Sequence, residues 1–161
     1  MFILETNPSV EPALAAGLHS VQRAAYREEA ELIGDDRIPP LHESIRELRS
    51  QPLRWFCAFA DNADDLAAGA DLLGAIAWEM EGSRVVIDRL MVRKDSQRRG
   101  VATRLVSTVV RHSGKRPVLV STGKANAPAR SLYERLGFVC TGDREVLPGL
   151  WVSDFELQPP P

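Results

Sequence analysis

Between Arg84 and Ser113 the apolar period of the chain switches once, and that switch constrains the fold more than any other feature. Val85, Ile87, Leu90 and Val92 belong to a β-rich run, and Val101, Leu105 and Val109 then recur at helical spacing up to Arg111-His112, before Gly114. Between them stands Gln97-Arg98-Arg99-Gly100-Val101-Ala102, so the segment reads as a strand–loop–helix junction. Amides at the start of such a helix point outward with the positive end of the dipole behind them, and they hold an anion without any side chain. Gly100 and Ala102 keep that surface low enough for a diphosphate to reach the backbone, while Lys94, Arg98 and Arg99 add positive charge.

The remaining punctuation sets the order of elements. Phe2 to Glu5 is a short strand, and Pro12 opens a helix carrying Leu14, Leu18, Val21 and Ala25. After the Gly34-Asp35-Asp36 break, Pro39-Pro40 starts a second helix with Leu41, Ile45 and Leu48 on its apolar face, stopped by Pro52. Arg54 to Ala60 is apolar on both faces and reads as a buried strand. Leu72 to Met80 and Arg84 to Val92 form a hairpin around Glu81-Gly82-Ser83. The Ala/Asp/Gly stretch Asp61 to Asp71 is expected to be a mobile loop. Helix Val101 to Ser113, strand Pro117 to Ser121, helix Ala127 to Leu136 and strands near Phe138 to Thr141 and Leu150 to Leu157 complete the series.

A chain of 161 residues is expected to form one domain, residues 1–157, with a disordered Pro-rich tail over 158–161. The net charge of −2 provides no global basic field, which argues against nucleic-acid binding as the main role. The start Met1-Phe2-Ile3-Leu4-Glu5 has no charged leader region, and no run approaches the ~20 apolar residues of a membrane span, so a cytoplasmic protein without a membrane partner is expected. Cys57 and Cys140 sit in apolar strand-like contexts and read as reduced packing residues rather than a bridge. No Cys or His spacing suits a metal, and the phosphate-loop, dinucleotide-fold and serine-elbow motifs are absent.

A second segment extends the signal. Asn126-Ala127-Pro128-Ala129-Arg130-Ser131-Leu132-Tyr133-Glu134-Arg135-Leu136-Gly137-Phe138 has a cap-type Asn and an early Pro at its start and Gly at its stop. Together the two segments resemble the GCN5-related N-acetyltransferases, the acetyl-CoA-dependent superfamily abbreviated GNAT. Its Gln/Arg-x-x-Gly-x-Gly/Ala pattern, which binds the CoA pyrophosphate, fits Gln97 to Ala102 with Ala in the last place. The strand Ile87 to Val92 and the later Asn-x-x-Ala-x-x-Leu-Tyr-Glu-x-Leu-Gly-Phe pattern match as well, and the specific resemblance covers residues 85 to 138. It implies an α/β (mixed α+β) GNAT-like single domain: a central, mostly antiparallel twisted sheet of about six to seven strands, helices on both faces and a splayed parallel strand pair.

The resemblance also implies chemistry. Acetyl-CoA would be the cosubstrate, its acetyl group passing to a primary amine, on a small molecule or a peptide, by direct attack in a ternary complex. The same resemblance is compatible with a homodimer. Freed backbone amides of Leu90, Met91 and Val92 would hold pantetheine and the acetyl carbonyl, and Gln97, Arg98, Arg99, Gly100, Val101, Ala102 and Thr103 would bind the diphosphate. Asn126 and Ser131 would contact the cofactor arm, Asn126 having an equal claim as a helix cap. Tyr133, in the Leu-Tyr-Glu position, would be the proton donor to the departing sulfur and would also touch the cofactor. An acceptor ammonium must lose a proton, and a carboxylate acting through water is the usual solution. Asp88 alternates with Leu90 and Val92 and so is expected to share their face; Glu79 is its rival and Glu81 lies closer to the turn.

Acceptor choice is expected to reside in the N-terminal half, where Arg27 to Asp36 holds five acids and one Arg, which suits a cationic amine as well as a solvated helix face. Trp55, Trp78 and Trp151 either wall a pocket or pack. A non-catalytic acyl-CoA-binding module is the alternative to an enzyme, and its mark would be CoA affinity without turnover.

Overall fold

The computed structural model of the chain describes residues 1–61 and 71–161. The loop expected over Asp61 to Asp71 falls almost entirely outside the described residues. Seven strands form one sheet in the order β1-β2-β3-β4-β5-β7-β6. They are β1 (Phe2–Thr6), β2 (Arg54–Phe59), β3 (Leu72–Glu81), β4 (Arg84–Val92), β5 (Val118–Gly123), β6 (Val139–Leu147) and β7 (Leu150–Leu157). All neighbours pair antiparallel except β4 and β5.

Among the described residues five α-helices cover the sheet: α1 (Pro12–Ile33), α2 (Pro39–His42), α3 (Ile45–Ser50), α4 (Val101–Ser113) and α5 (Ala127–Arg135). Alternation along β2 explains the two layers, since Trp55, Cys57 and Phe59 pack with Leu14, Leu18 and Leu48 of α1 and α3. Phe56 and Ala58 point the other way, to Leu105, Val106 and Val109 of α4 and to Leu132 and Tyr133 of α5. α1 ends where Gly34 adopts a left-handed conformation and its N–H returns to the Ala30 carbonyl.

The expected second helix is broken. Glu43 is extended, and Ser44 caps a new helix by accepting the Glu47 N–H at 3.0 Å, so Ile45 leaves the apolar face and is 40% exposed while Leu41 and Leu48 stay buried. β6 runs past the expected Thr141 to Leu147 and is exposed along its whole length, because pairing with β7 rather than burial maintains it. Cys57 is a buried packing residue as expected, but Cys140 on β6 is exposed. Both thiols are free.

Candidate active site

The parallel pair at the centre of the sheet is short. β4 and β5 pair over Val85–Val118, Val86–Leu119 and Ile87–Val120, after which Asp88 to Val92 and Ser121 to Gly123 diverge. Their carboxyl ends lead to α4 and α5, the position at which parallel strands commonly present a ligand crevice. The gap opens into a cleft of about 470 Å³, bordered by Tyr26 and Glu29 of α1, Leu90 of β4, Thr122 of β5 and Tyr133 of α5.

A bulge shapes the β4 side. Ala77 pairs with Arg89 but Trp78 with Ile87, so Asp88 is an extra residue that resets the alternation. Val85 and Ile87 before it, and Leu90 and Val92 after it, all belong to the α4 side, whereas Met91 packs on the α1 side. The expectation that Asp88 simply shares a face with Leu90 and Val92 therefore fails, since an unbulged strand would not have kept Ile87 and Leu90 together. Asp88 still borders the cleft, where its Oδ2 accepts from Arg89 Nε at 2.6 Å. Glu79 and Glu81 do not line it, and Glu81 pairs with Arg84 at 3.0 Å.

Arg89 is the centre of a buried network. Its Nη1 donates to Glu43 Oε1 at 2.7 Å and to Gln22 Oε1 at 3.0 Å, and Gln22 Nε2 donates to the Pro40 carbonyl at 2.9 Å. Burial pulls the Arg89 pKa down, but the Asp88 charge together with the hydrogen bonds Arg89 donates to Glu43 and Asp88 outweighs it, and the guanidinium is held above its ordinary value. The network fixes the extended Glu43 turn against β4 and so positions one wall of the cleft.

Beyond the carboxyl end of β4, outside the cleft lining, lies the loop that leads into α4. Gln97 to Gly100 are exposed, Arg98 has φ of 60°, and Gly100 at φ of 80° begins α4 without any side-chain cap. Left-handed backbone costs a non-Gly residue roughly 1–2 kcal/mol, and strain of that kind concentrates where a ligand uses the backbone. A Cβ on Gly100 would meet nothing within 4 Å, so the ground above the first α4 amides is open. Gly74 on β3 serves the same junction from beneath, because a Cβ there would lie 2.7 Å from the Met91 carbonyl and 3.1 Å from Val101 Cγ1. The uncapped helix start, the open Gly100 and the basic Arg98 and Arg99 fit a diphosphate. Gln97 Nε2 donates to Glu28 Oε2 at 3.1 Å, which ties the loop to α1. Thr103 and Ser131 are exposed and lie outside the cleft.

Tyr133 is nearly buried and its ring is fixed between Phe138 and Phe155, with centroids 5.5 and 5.9 Å away. Burial, then the nearby Glu29 charge, drives its pKa above the ordinary tyrosine value, so the hydroxyl keeps its proton. Tyr26 is raised for the same two reasons in that order. Asn126 caps α5, its Oδ1 accepting the Ala129 N–H at 3.2 Å, and it lines the cleft together with Glu29.

Glu29 is the cleft residue that the sequence does not single out from the other acids between Arg27 and Asp36. A signal was present: the buried stripe of α1 runs Leu14, Leu18, Gln22, Tyr26 and Ala30, and Glu29 follows Tyr26 by three and Gln22 by seven. The other acids diverge, Glu28 to Gln97 and Glu31 to a separate surface depression. Trp55 and Trp78 are core residues, and the exposed Trp151 lies under Lys124 beside the cleft rather than in it. Among the described residues no helix is long and apolar enough to cross a membrane, and no group of three or more His, Cys, Asp or Glu could hold a metal.

This architecture recurs in solved structures. Arabidopsis thaliana NAA60 in complex with a bisubstrate analogue superposes with a TM-score of 0.71 over 98% of both chains at 18% identity. An aminoglycoside 6'-acetyltransferase type Ii gives 0.71 over 100% of both at 19%, and the PaiA N-acetyltransferase of Thermoplasma acidophilum in complex with coenzyme A gives 0.68 over 96% and 98% at 15%. By sequence the chain is 32% identical over 150 residues to UPF0157 protein YqkA of Bacillus subtilis (strain 168), matching 92% of this chain and spanning only 41% of that protein. The profile of the acetyltransferase (GNAT) family matches residues 17–138, which include most of α1, the bulged β4, the uncapped loop and Tyr133. With the splayed strand pair and the open helix start both in place, the chain belongs to the acetyltransferase (GNAT) family.

Proposed function

We propose that this chain is an N-acetyltransferase that moves the acetyl group of acetyl-CoA to a primary amine held with it in one ternary complex. The observation that carries the reading is the three-residue pairing of β4 and β5, which opens a cleft with Tyr133 on its wall beside an uncapped, basic helix start. Acetyl-CoA supplies the activated acetyl thioester. The chain's own groups then divide the work. The first α4 amides with Arg98 and Arg99 receive the diphosphate, and the separated β4 backbone from Leu90 to Val92 offers donors to the pantetheine arm and the acetyl oxygen. Tyr133 faces the departing sulfur. Its raised pKa keeps the proton available but makes it a weak acid against a thiol near ~8.5, so it acts mainly by hydrogen-bonding the developing thiolate. Asp88 is committed to Arg89 and supports the wall.

Incubating the chain with acetyl-CoA and a panel of primary amines, while following free thiol, tests the reading. Amine-dependent thiol release is expected. Tight acetyl-CoA binding with no release on any amine would make the chain an acyl-CoA-binding module instead.

A further inference from the structure

We propose that Glu29 binds the ammonium of the acceptor and first receives its proton, and that this acceptor is a primary amine on an apolar stem. The inference rests on the acetyl-transfer reading and names the class of its second substrate. Glu29 projects from α1 into the cleft against the part of β5 that has left β4: its Oε1 would lie 3.5 Å from a Cβ placed on Gly123. The polar groups that favour its charge are the Asn126 side chain and the Gly123 backbone, not a cation. Among the described residues it makes no ion pair, whereas Asp88 and Glu43 share Arg89. A half-buried carboxylate that pairs with no cation, facing a cavity whose Arg37 and Arg89 are already taken up by Asp35 and by Glu43 and Asp88, is electrostatically matched to a cationic ligand.

The rest of the wall sets the stem. Ile33 and Ile38 on one side and Leu147 and Leu150 on the other line the same cleft toward its outer end. Arg37, the guanidinium there, is taken up by Asp35 at 2.7 Å and by the Pro148 carbonyl at 2.8 Å, which closes the segment after α1 onto the β6–β7 turn. An ammonium at Glu29 would therefore leave its substituent among aliphatic side chains.

The protons balance. The ammonium gives one proton to a Glu29 oxygen, and the freed lone pair attacks the thioester carbonyl carbon. The carbon–sulfur bond breaks with its electron pair on sulfur, and the thiolate so formed accepts a hydrogen bond from Tyr133, which keeps its proton. The acylated nitrogen gives its extra proton to that thiolate, and Glu29 releases its own to solvent, leaving an amide, a thiol and one free proton.

The test is calorimetric titration of the CoA-saturated protein with 2-phenylethylamine, 2-phenylethanol and 3-phenylpropanoate, and with a short leucyl peptide amide to separate a small amine from a peptide N-terminus. The amine should bind about 10- to 100-fold more tightly than the alcohol, as expected for a charge-assisted hydrogen bond, and the carboxylate least. Glu29→Gln should erase that preference and leave acetyl-CoA affinity within twofold, while Glu29→Asp should keep part of it. Equal binding of amine and alcohol to the wild type, no binding of either amine, or a preference that survives Glu29→Gln would each overturn the proposal. Ammonium preference without acetylation of any amine would instead sink the transferase reading and leave the Glu29 subsite standing.

Discussion

Glu43 and Glu29 are both carboxylates drawn away from water beside α1, yet their surroundings differ in one decisive respect. Glu43 meets Arg89 and Gln22 inside the protein, so the charge it brings in is matched by a guanidinium and by hydrogen bonds. Glu29 has no guanidinium beside it, and burial raises its pKa against the opposing pull of Asn126 and Gly123. The first arrangement is structural: it ties the turn between α2 and α3 to β4. The second leaves electrostatic need unmet at the edge of a cavity, which is how a site is kept ready for a ligand and why such groups cost stability.

The most severe way to break this contrast is Glu43→Gln. Removing one member of a buried pair typically costs 3–5 kcal/mol, and about 3 kcal/mol is expected here because Asp88 still faces Arg89. Urea unfolding measures it, and a loss under about 1 kcal/mol would show that Asp88 alone satisfies the guanidinium.

Next in size is Tyr133→Phe, which keeps the ring between Phe138 and Phe155 and removes the hydroxyl that the Glu29 charge helps keep protonated. Turnover should fall by at most about 10²-fold, the low end for a general acid, with acetyl-CoA affinity unchanged. Wild-type turnover under conditions where chemistry is limiting would remove Tyr133 from the mechanism.

Gly100→Val probes the loop before α4, which lies outside the cleft lining. The left-handed φ should cost about 1–2 kcal/mol of stability, and acetyl-CoA should bind at least about tenfold more weakly as a branched side chain covers the α4 amides. Equal affinities for a folded variant would place the diphosphate elsewhere.

The smallest effect has the opposite sign. Because the folded-state pKa of Glu29 lies above its ordinary 4.5, the native state binds its proton more tightly than the unfolded chain does, and the wild type loses stability as pH rises from there through the folded pKa. Glu29→Gln should therefore be more stable at neutral pH, by about 0.5–1 kcal/mol, with the gap closing as pH falls below the ordinary carboxylate value. A variant less stable than wild type at pH 7 would mean that Glu29 is satisfied in the way Glu43 is, and the comparison would collapse.

What could be read from the sequence was what short stretches decide on their own. Val101–Ser113 and Leu150–Leu157 carry their own periods, Pro12 and Gly34 mark the ends of α1, and the loop before α4 needs only Gly100 and its basic neighbours. What depended on partners far along the chain was hidden. The bulge at Asp88 is a mismatch between β4 and β3, the interruption at Glu43 answers to Arg89 forty-six residues away, and β6 extends only because β7 lies beside it. Glu29 looked like one of a row of solvated acids because its distinguishing neighbours, Gly123 and Asn126, come from the other half of the chain.

The strand order places β7 between β5 and β6, although it is the last of the seven to be synthesised. On the ribosome, β5 emerges facing solvent on one edge and cannot hand that edge to β6; it must wait for Leu150–Leu157. The Pro148 carbonyl that receives Arg37 arrives in the same late segment, 111 residues after its partner. Nascent chains stalled before Leu150 would thus carry the loop before α4 and Tyr133 yet lack one wall of the cleft, and they would present an unpaired β5 edge to chaperones or to one another.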